Sequence, residues 1–163
     1  SEVRLTDDGF VFCFCGHGGA TELLGNDFIP TSYQAIINTI ATEPKLQGKP
    51  KLVVFDCCQG NAASELGQLR LPKDTILAFA TGLSTRAWAQ DGVGNFYSKR
   101  LATAIHSHAA AHSAEDLLKL TQGEVHRERI VTENQYGVRT RHHQVAHVDS
   151  ALGAYHLFLG GSS

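Results

Sequence analysis

Four short, nearly unbroken apolar runs, separated by helical patterns, leave this chain few folds to choose from. The runs are Phe10–Cys15, Lys51–Asp56, Thr75–Thr81 and Ala154–Leu159. Each is rich in β-branched, aromatic or Cys residues with little alternation, as expected of strands covered on both faces. Between the first two, Thr31 or Ser32 can cap a helix in which Tyr33, Ile36, Ile37 and Ile40 share one face. Pro44 and the segment Gln47-Gly48-Lys49-Pro50 end it. Phe96, Leu101, Ala104 and Ile105 outline a second helix after Gly94. Ser113 opens a third, with Glu115 and Asp116 in its first turn and Leu117, Leu118, Leu120 and Val125 on its apolar face. Strands alternating with helices predict an α/β fold, a mostly parallel sheet with helices on both faces. No repeat or linker interrupts the 163 residues, so one domain spanning 1–163 around a single core is expected.

The charge balance narrows the partners. Lys and Arg number 14 against 16 Asp and Glu, a net charge of −2, and the only dense cationic stretch is Arg139 to His143. That falls short of a nucleic-acid footprint. No apolar run nears the roughly 18–20 residues of a bilayer-spanning helix, so no membrane partner is expected. The polar start, Ser-Glu-Val-Arg-Leu-Thr-Asp-Asp-Gly, does not read as a signal peptide. Cys13, Cys15, Cys57 and Cys58 do not suit a disulfide scaffold in a chain of this size, which points to a reducing, cytoplasmic compartment. Cys13-x-Cys15 and Cys57-Cys58 also lack the two-to-four-residue offsets of structural zinc pairs, so neither metal nor cofactor is expected. A disulfide between the adjacent Cys57 and Cys58 would be strained. Cys13, Cys15 and Cys57 are expected in the core.

In parallel α/β sheets, reactive residues collect beyond the carboxyl ends of the strands. The first two runs end in Cys15-Gly16-His17-Gly18-Gly19 and Asp56-Cys57-Cys58-Gln59-Gly60. If those strands are parallel neighbours, His17 and Cys58 converge on one edge of the sheet. A thiol attacks a carbonyl best as a thiolate, and a nearby imidazole both favours that form and protonates the leaving amine. Backbone N–H groups in a Gly-rich turn can receive the developing oxyanion.

Phe-Cys-Gly-His-Gly-Gly, followed by Lys-Leu-Val-Val-Phe-Asp-Cys-Cys-Gln-Gly, resembles the caspase and metacaspase superfamily. The caspase signature is Gln-Ala-Cys-(Arg/Gln/Gly)-Gly with a His about 50 residues upstream. Here Asp56 stands for the Gln and Cys57 for the Ala, Cys58 is the nucleophile, and Gln59 and Gly60 follow; Asp-Cys-Cys looks more like the metacaspase form. Thr75–Thr81 resembles the strand after the nucleophile loop, Trp88 to Leu101 the stretch leading from the substrate groove into its helix, and Gln144 to Leu152 the C-terminal block of bacterial relatives. The resemblance covers Phe10 to Leu159.

The resemblance implies a cysteine endopeptidase acting on proteins or peptides through a thioester acyl-enzyme. His17 and Cys58 would form the dyad, the amides of Gly18 and Cys58 the oxyanion hole, and Trp88 a wall of the groove. It divides the domain into a large-subunit-like part (1–74) and a small-subunit-like part (75–163). A segment resembling Ser-Trp-Arg reads Ala87-Trp88-Ala89, so one Arg of aspartate-specific caspases is missing. Asp56, on the same side of its strand as Cys58, would instead favour a basic side chain and repel Asp, giving cleavage after Arg or Lys. The alternative role for Asp56 is to cap the turn that follows it. Two departures stand out. The family fold has six principal strands and this chain begins at the third, so the first two strands are removed, supplied by a separate segment, or dispensed with. The stretch from Gly60 to Thr75 is also shorter than a cleavable intersubunit linker, although Arg70 and Lys73 offer basic sites. Family likeness further implies a homodimer paired through the last strand, Ala154–Leu159. The rival reading is a non-catalytic caspase-like module that binds or regulates other proteins.

Overall fold

In a computed structural model of the chain, residues 3–58, 69–81, 87, 89–90, 94–128, 130–133, 135–152 and 157–159 are described. The elements run β1 (Phe10–Cys15), β2 (His17–Gly18), β3 (Glu22–Leu24), β4 (Pro30–Ser32), α1 (Tyr33–Thr42), β5 (Lys51–Asp56) and β6 (Thr75–Phe79). They continue with β7 (Ala89–Gln90), β8 (Gly94–Asn95), α2 (Phe96–His108), α3 (Ala114–Arg127), β9 (Ile130–Glu133), β10 (Arg139–His142) and β11 (His147–Ser150). A short 3-10 turn, Pro44–Leu46, follows α1.

The central sheet has the order β1-β5-β6-β11. β1 and β6 both run parallel to β5, and β11 runs antiparallel to β6. Every residue of β5 and β6 is buried. Leu52, Val54, Ile76 and Ala78 turn to one face, where Tyr97 and Leu101 of α2 and Ala114 and Leu118 of α3 pack on them. Val53, Phe55, Leu77 and Phe79 turn to the other, against Tyr33, Ile37 and Ile40 of α1. Both faces of these strands need apolar side chains, which is why alternation vanishes from their sequence. The rings of Tyr33 and Phe55 lie 4.9 Å apart, and those of Tyr33 and Phe79 5.3 Å apart, both edge-on. Burying each such side chain contributes roughly 1.5–3 kcal/mol. Among the described residues this is an α/β fold, with parallel core strands flanked by three helices.

Local signals place the helix starts. The Ser32 hydroxyl accepts from the Ala35 amide at 3.1 Å, and Ser113 accepts from Asp116 at 3.3 Å while donating to its carboxylate at 2.7 Å. Among the described residues, no helix is long and apolar enough to cross a membrane.

Three expectations are corrected and one strand is added. β1 is an edge strand with Val11, Cys13 and Cys15 exposed, so Cys13 and Cys15 are not core residues. Only the face carrying Phe10, Phe12 and Phe14 packs inward, onto the α1 side. β6 ends at Phe79, two residues before Thr81. The strand beside β6 is β11, which no apolar run announced, and the expected strand Ala154–Leu159 falls only partly among the described residues. Residues 154–156 lie outside the described residues, while Phe158 makes a lone bridge to Ser113 at the start of α3. β11 escaped notice because its Val148 alone is part-buried; a polar edge strand carries no apolar run. Leu120 is 42 % exposed, and Thr121 takes the buried position on α3 instead.

Candidate active site

The parallel register brings the two turns to the same end of the sheet. Cys15 is the Cα partner of Asp56, and the Gly16 amide extends the ladder by donating to the Asp56 carbonyl at 3.2 Å. The chain beyond Gly16 folds into a small antiparallel sheet of order β2-β3-β4, in which His17 pairs with Leu24 and Gly18 with Leu23. Beyond β5, Cys57 turns inward and is fully buried, whereas Cys58 is half-buried. Adjacent residues on an extended chain point to opposite sides, so only one of the two thiols can face the cleft. Burial pushes the Cys57 thiol up to about 11, leaving it protonated and inert at neutral pH.

His17 and Cys58 line one cavity of about 570 Å³, together with Cys15, Gly16, Ala87, Asn95 and Ser98. The Cys58 thiol is directed at the Ala87 carbonyl, 3.8 Å away, and no hydrogen bond joins it to His17. Catalytic hydrogen bonds in unliganded enzymes are commonly long and tighten only around substrate.

Tyr33 ties the two turns together, a role the sequence pattern did not reveal. Its buried hydroxyl donates to the Gly19 carbonyl at 3.1 Å and meets the Cys57 Sγ at 3.3 Å. Burial raises the phenol well above its ordinary pKa, so the hydroxyl keeps its proton. In sequence, Tyr33 is only one member of an apolar helix face. Tyr33→Phe keeps the ring packing and loses the bond to Gly19. We expect a stability cost of about 1 kcal/mol and a fall in thermal midpoint of roughly 2–4 °C. Calorimetry checks this, and an unchanged midpoint would show that the hydroxyl contributes nothing.

Asp56 is fully buried and does not line the cavity. Its Oδ2 accepts from the Ser98 amide at 3.0 Å and the Ser98 hydroxyl at 2.5 Å. Ser98 is the third residue of α2, and Asn95, at the N-cap, makes no side-chain cap bond. Asp56 therefore caps a distant helix by accepting an orphan amide of its first turn. Its other oxygen, Oδ1, is buried without a partner among the described residues. Burial raises the carboxyl above the usual range, while the bonds from Ser98 and Asn95 pull it back. Ser98 and Cys15, whose Oγ and Sγ lie 3.2 Å apart, stand between Asp56 and the cavity. Ser98 and Asn95 were missed because helix-start residues look like local caps; nothing in their spacing points to Asp56. Trp88, Gln59 and Gly60 lie outside the described residues.

A family model described as the caspase domain matches residues 2–153, a span containing both turns and the whole central sheet. No curated protein matches the chain. The match covers most of the sequence and agrees with the parallel sheet and the strand-end cleft: the chain belongs to the caspase domain family, which places it among cysteine peptidase-like proteins that act on protein substrates.

Proposed function

We propose that the protein is a cysteine endopeptidase in which Cys58 is the nucleophile and His17 the acid/base. The observation that carries this reading is the single cavity lined by both side chains. The imidazole takes the thiol proton, and the thiolate forms a bond to the scissile carbonyl carbon while the π pair moves to oxygen. The amides of Gly18 and Cys58 stabilise that oxyanion. Its collapse breaks the C–N bond, and the imidazolium gives its proton to the departing amine. Water, deprotonated by His17, then releases the acid from the thioester. A panel of fluorogenic peptides ending in Arg, Lys, Asp or Asn tests the reading, with turnover abolished by thiol alkylation. No cleavage of any member would favour the non-catalytic binding module instead.

Cleavage after Arg or Lys is the specificity we assign, through Asp56, with Trp88 as a groove wall by family resemblance. The unpartnered Oδ1 supports it, because a buried carboxylate oxygen gains most from a cation that reaches it. Ser98 and Cys15, which separate Asp56 from the cavity, would have to move aside for a cation to reach that oxygen. Asp56→Asn is expected to lower kcat/KM for Arg-ending peptides by roughly 100-fold. The sign with pH follows from the raised carboxyl pKa. Activity on basic peptides climbs as pH rises through that value, and the Asn variant loses that limb. An unaltered Arg preference and acid limb would remove Asp56 from the specificity role. Ionising this buried group also costs stability, and that cost appears as pH rises through its folded pKa, so the variant's thermal midpoint should gain on the parent toward neutral pH.

We read residues 1–163 as one peptidase domain, 1–74 large-subunit-like and 75–163 small-subunit-like, in a cytoplasmic setting. In support, β5 and β6 from either side of that division are hydrogen-bonded neighbours. The outer edge of β1 would receive strands supplied by a separate segment, and the C-terminal end of the sheet would pair with a second copy.

A further inference from the structure

A second cavity, of about 470 Å³, adjoins the first. Both are lined by Cys15, Gly16 and His17, but Cys58 lines only the first. The second cavity lies beyond the imidazole and is walled by Phe14, Leu24 and Phe28, with Asn26 as a polar neighbour. Among the described residues, no carboxylate and no Lys or Arg lines it. Leu24 is held beside His17 by the β2–β3 pairing.

The loop between β3 and β4 presents Phe28 in an unusual way. Phe28 has a φ of 58°, in the left-handed region that a bulky side chain rarely adopts. Two bonds hold the loop in that shape: the Phe28 amide donates to the Gly25 carbonyl at 3.0 Å, and the Ile29 amide donates to Asp27 Oδ1 at 3.1 Å. Despite this ordering, Phe28 is 77 % and Ile29 61 % exposed. Phe28, which lines the cavity, thus leaves a large apolar side chain open to water at its lip.

Chemistry assigns the direction. The imidazole must deliver its proton to the leaving amine, so the leaving half of the substrate crosses His17, away from the half held on Cys58. We propose that this second cavity is the leaving-side subsite of the cleft and takes a bulky apolar side chain, Phe or Leu, from the residue following the scissile bond; this rests on the Cys58–His17 reading. Phe28 and Leu24 are its specificity-determining residues. The volume suits a large side chain, and the uncharged walls would leave an ionic group unpaired.

Internally quenched peptides test it. The sequence ahead of the scissile bond is held constant, ending in the residue the fluorogenic panel selects, and Phe, Leu, Ala, Asp or Lys follows the bond. We expect kcat/KM about 10-fold higher for Phe and Leu than for the others, a discrimination that apolar pockets typically reach. Phe28→Gly removes the ring while permitting the same backbone conformation, and it should erase the preference; Phe28→Leu should retain most of it. The same peptides are also measured for affinity to the Cys58→Ala variant by fluorescence anisotropy, which needs no turnover. Cleavage with a flat ranking, or a ranking unchanged in Phe28→Gly, overturns the subsite and leaves the dyad standing. No cleavage, with tighter binding of the Phe peptide that Phe28→Gly abolishes, overturns the peptidase reading and keeps the pocket. No cleavage and no difference in affinity overturns both.

Discussion

Cys58→Ala should abolish turnover of every peptide the protein cleaves, and His17→Ala should lower kcat/KM by roughly 10³-fold or more. The two losses have different origins. Without the Cys58 sulfur no acyl-enzyme can form, whereas without the imidazole the thiol has no base to take its proton and the amine no acid to protonate it. Neither change should disturb the fold. His17 is exposed, and the Cys58 side chain gives up only a long contact to the Ala87 carbonyl, at 3.8 Å. Thermal midpoints within a degree or two of the parent would therefore accompany the loss of activity. The two effects should also be non-additive, since nucleophile and base act in one step, and the double variant should be no slower than Cys58→Ala. Steady-state kinetics on the parent and all three variants checks this. Full activity in both single variants would remove the dyad.

The second large effect is expected at Gly18. A Cβ added there would lie 2.7 Å from Cys57 Sγ, 2.8 Å from Tyr33 Oη and 2.9 Å from the Cys58 carbonyl oxygen. The last of these is backbone in the turn that carries the nucleophile and cannot swing aside. Gly18→Ala must therefore push the His turn and the Cys turn apart. Crowding of this kind costs about 1–3 kcal/mol of stability. A displacement near 1 Å between reacting groups lowers the rate about 100-fold. Gly16→Ala is the informative contrast. Its Cβ would come within 2.8 Å of the Phe14 ring, the far end of a part-buried side chain that borders a cavity rather than backbone. We expect Gly16→Ala to keep most of the activity and Gly18→Ala to lose nearly all of it. Parallel kinetic and calorimetric measurements on the two variants separate the cases; equal activities would mean that the contact at Gly18 does not hold the turns together.

The same contact explains what pairs of residues do that single motifs cannot. Gly18 reads in sequence as one glycine of a Gly-His-Gly-Gly turn. In the fold it is the point where Cys57, Cys58 and Tyr33 converge, and any side chain would drive them apart. Asp56 follows a similar course. Sequence reasoning offered substrate recognition or a local turn cap as its role. The structure has one oxygen capping α2 through Ser98 and the other without a partner among the described residues, a division of labour set by residues far along the chain.

Sequence alone determined the strands that are buried on both faces, the helices that start at Thr31 or Ser32 and at Ser113, and the two strand ends that carry His17 and Cys58. Those features are written locally, in unbroken apolar runs, 3.6-residue periodicity and cap residues, because burial and capping constrain each short stretch directly. The tertiary structure alone decided that Cys13 and Cys15 face water, that the polar β11 lies beside β6, and that Tyr33 clamps the two turns. Each of these depends on which element lies alongside. An edge strand and a central one can share a composition, and a hydrogen bond from α1 to the His turn leaves no trace in the residues between them.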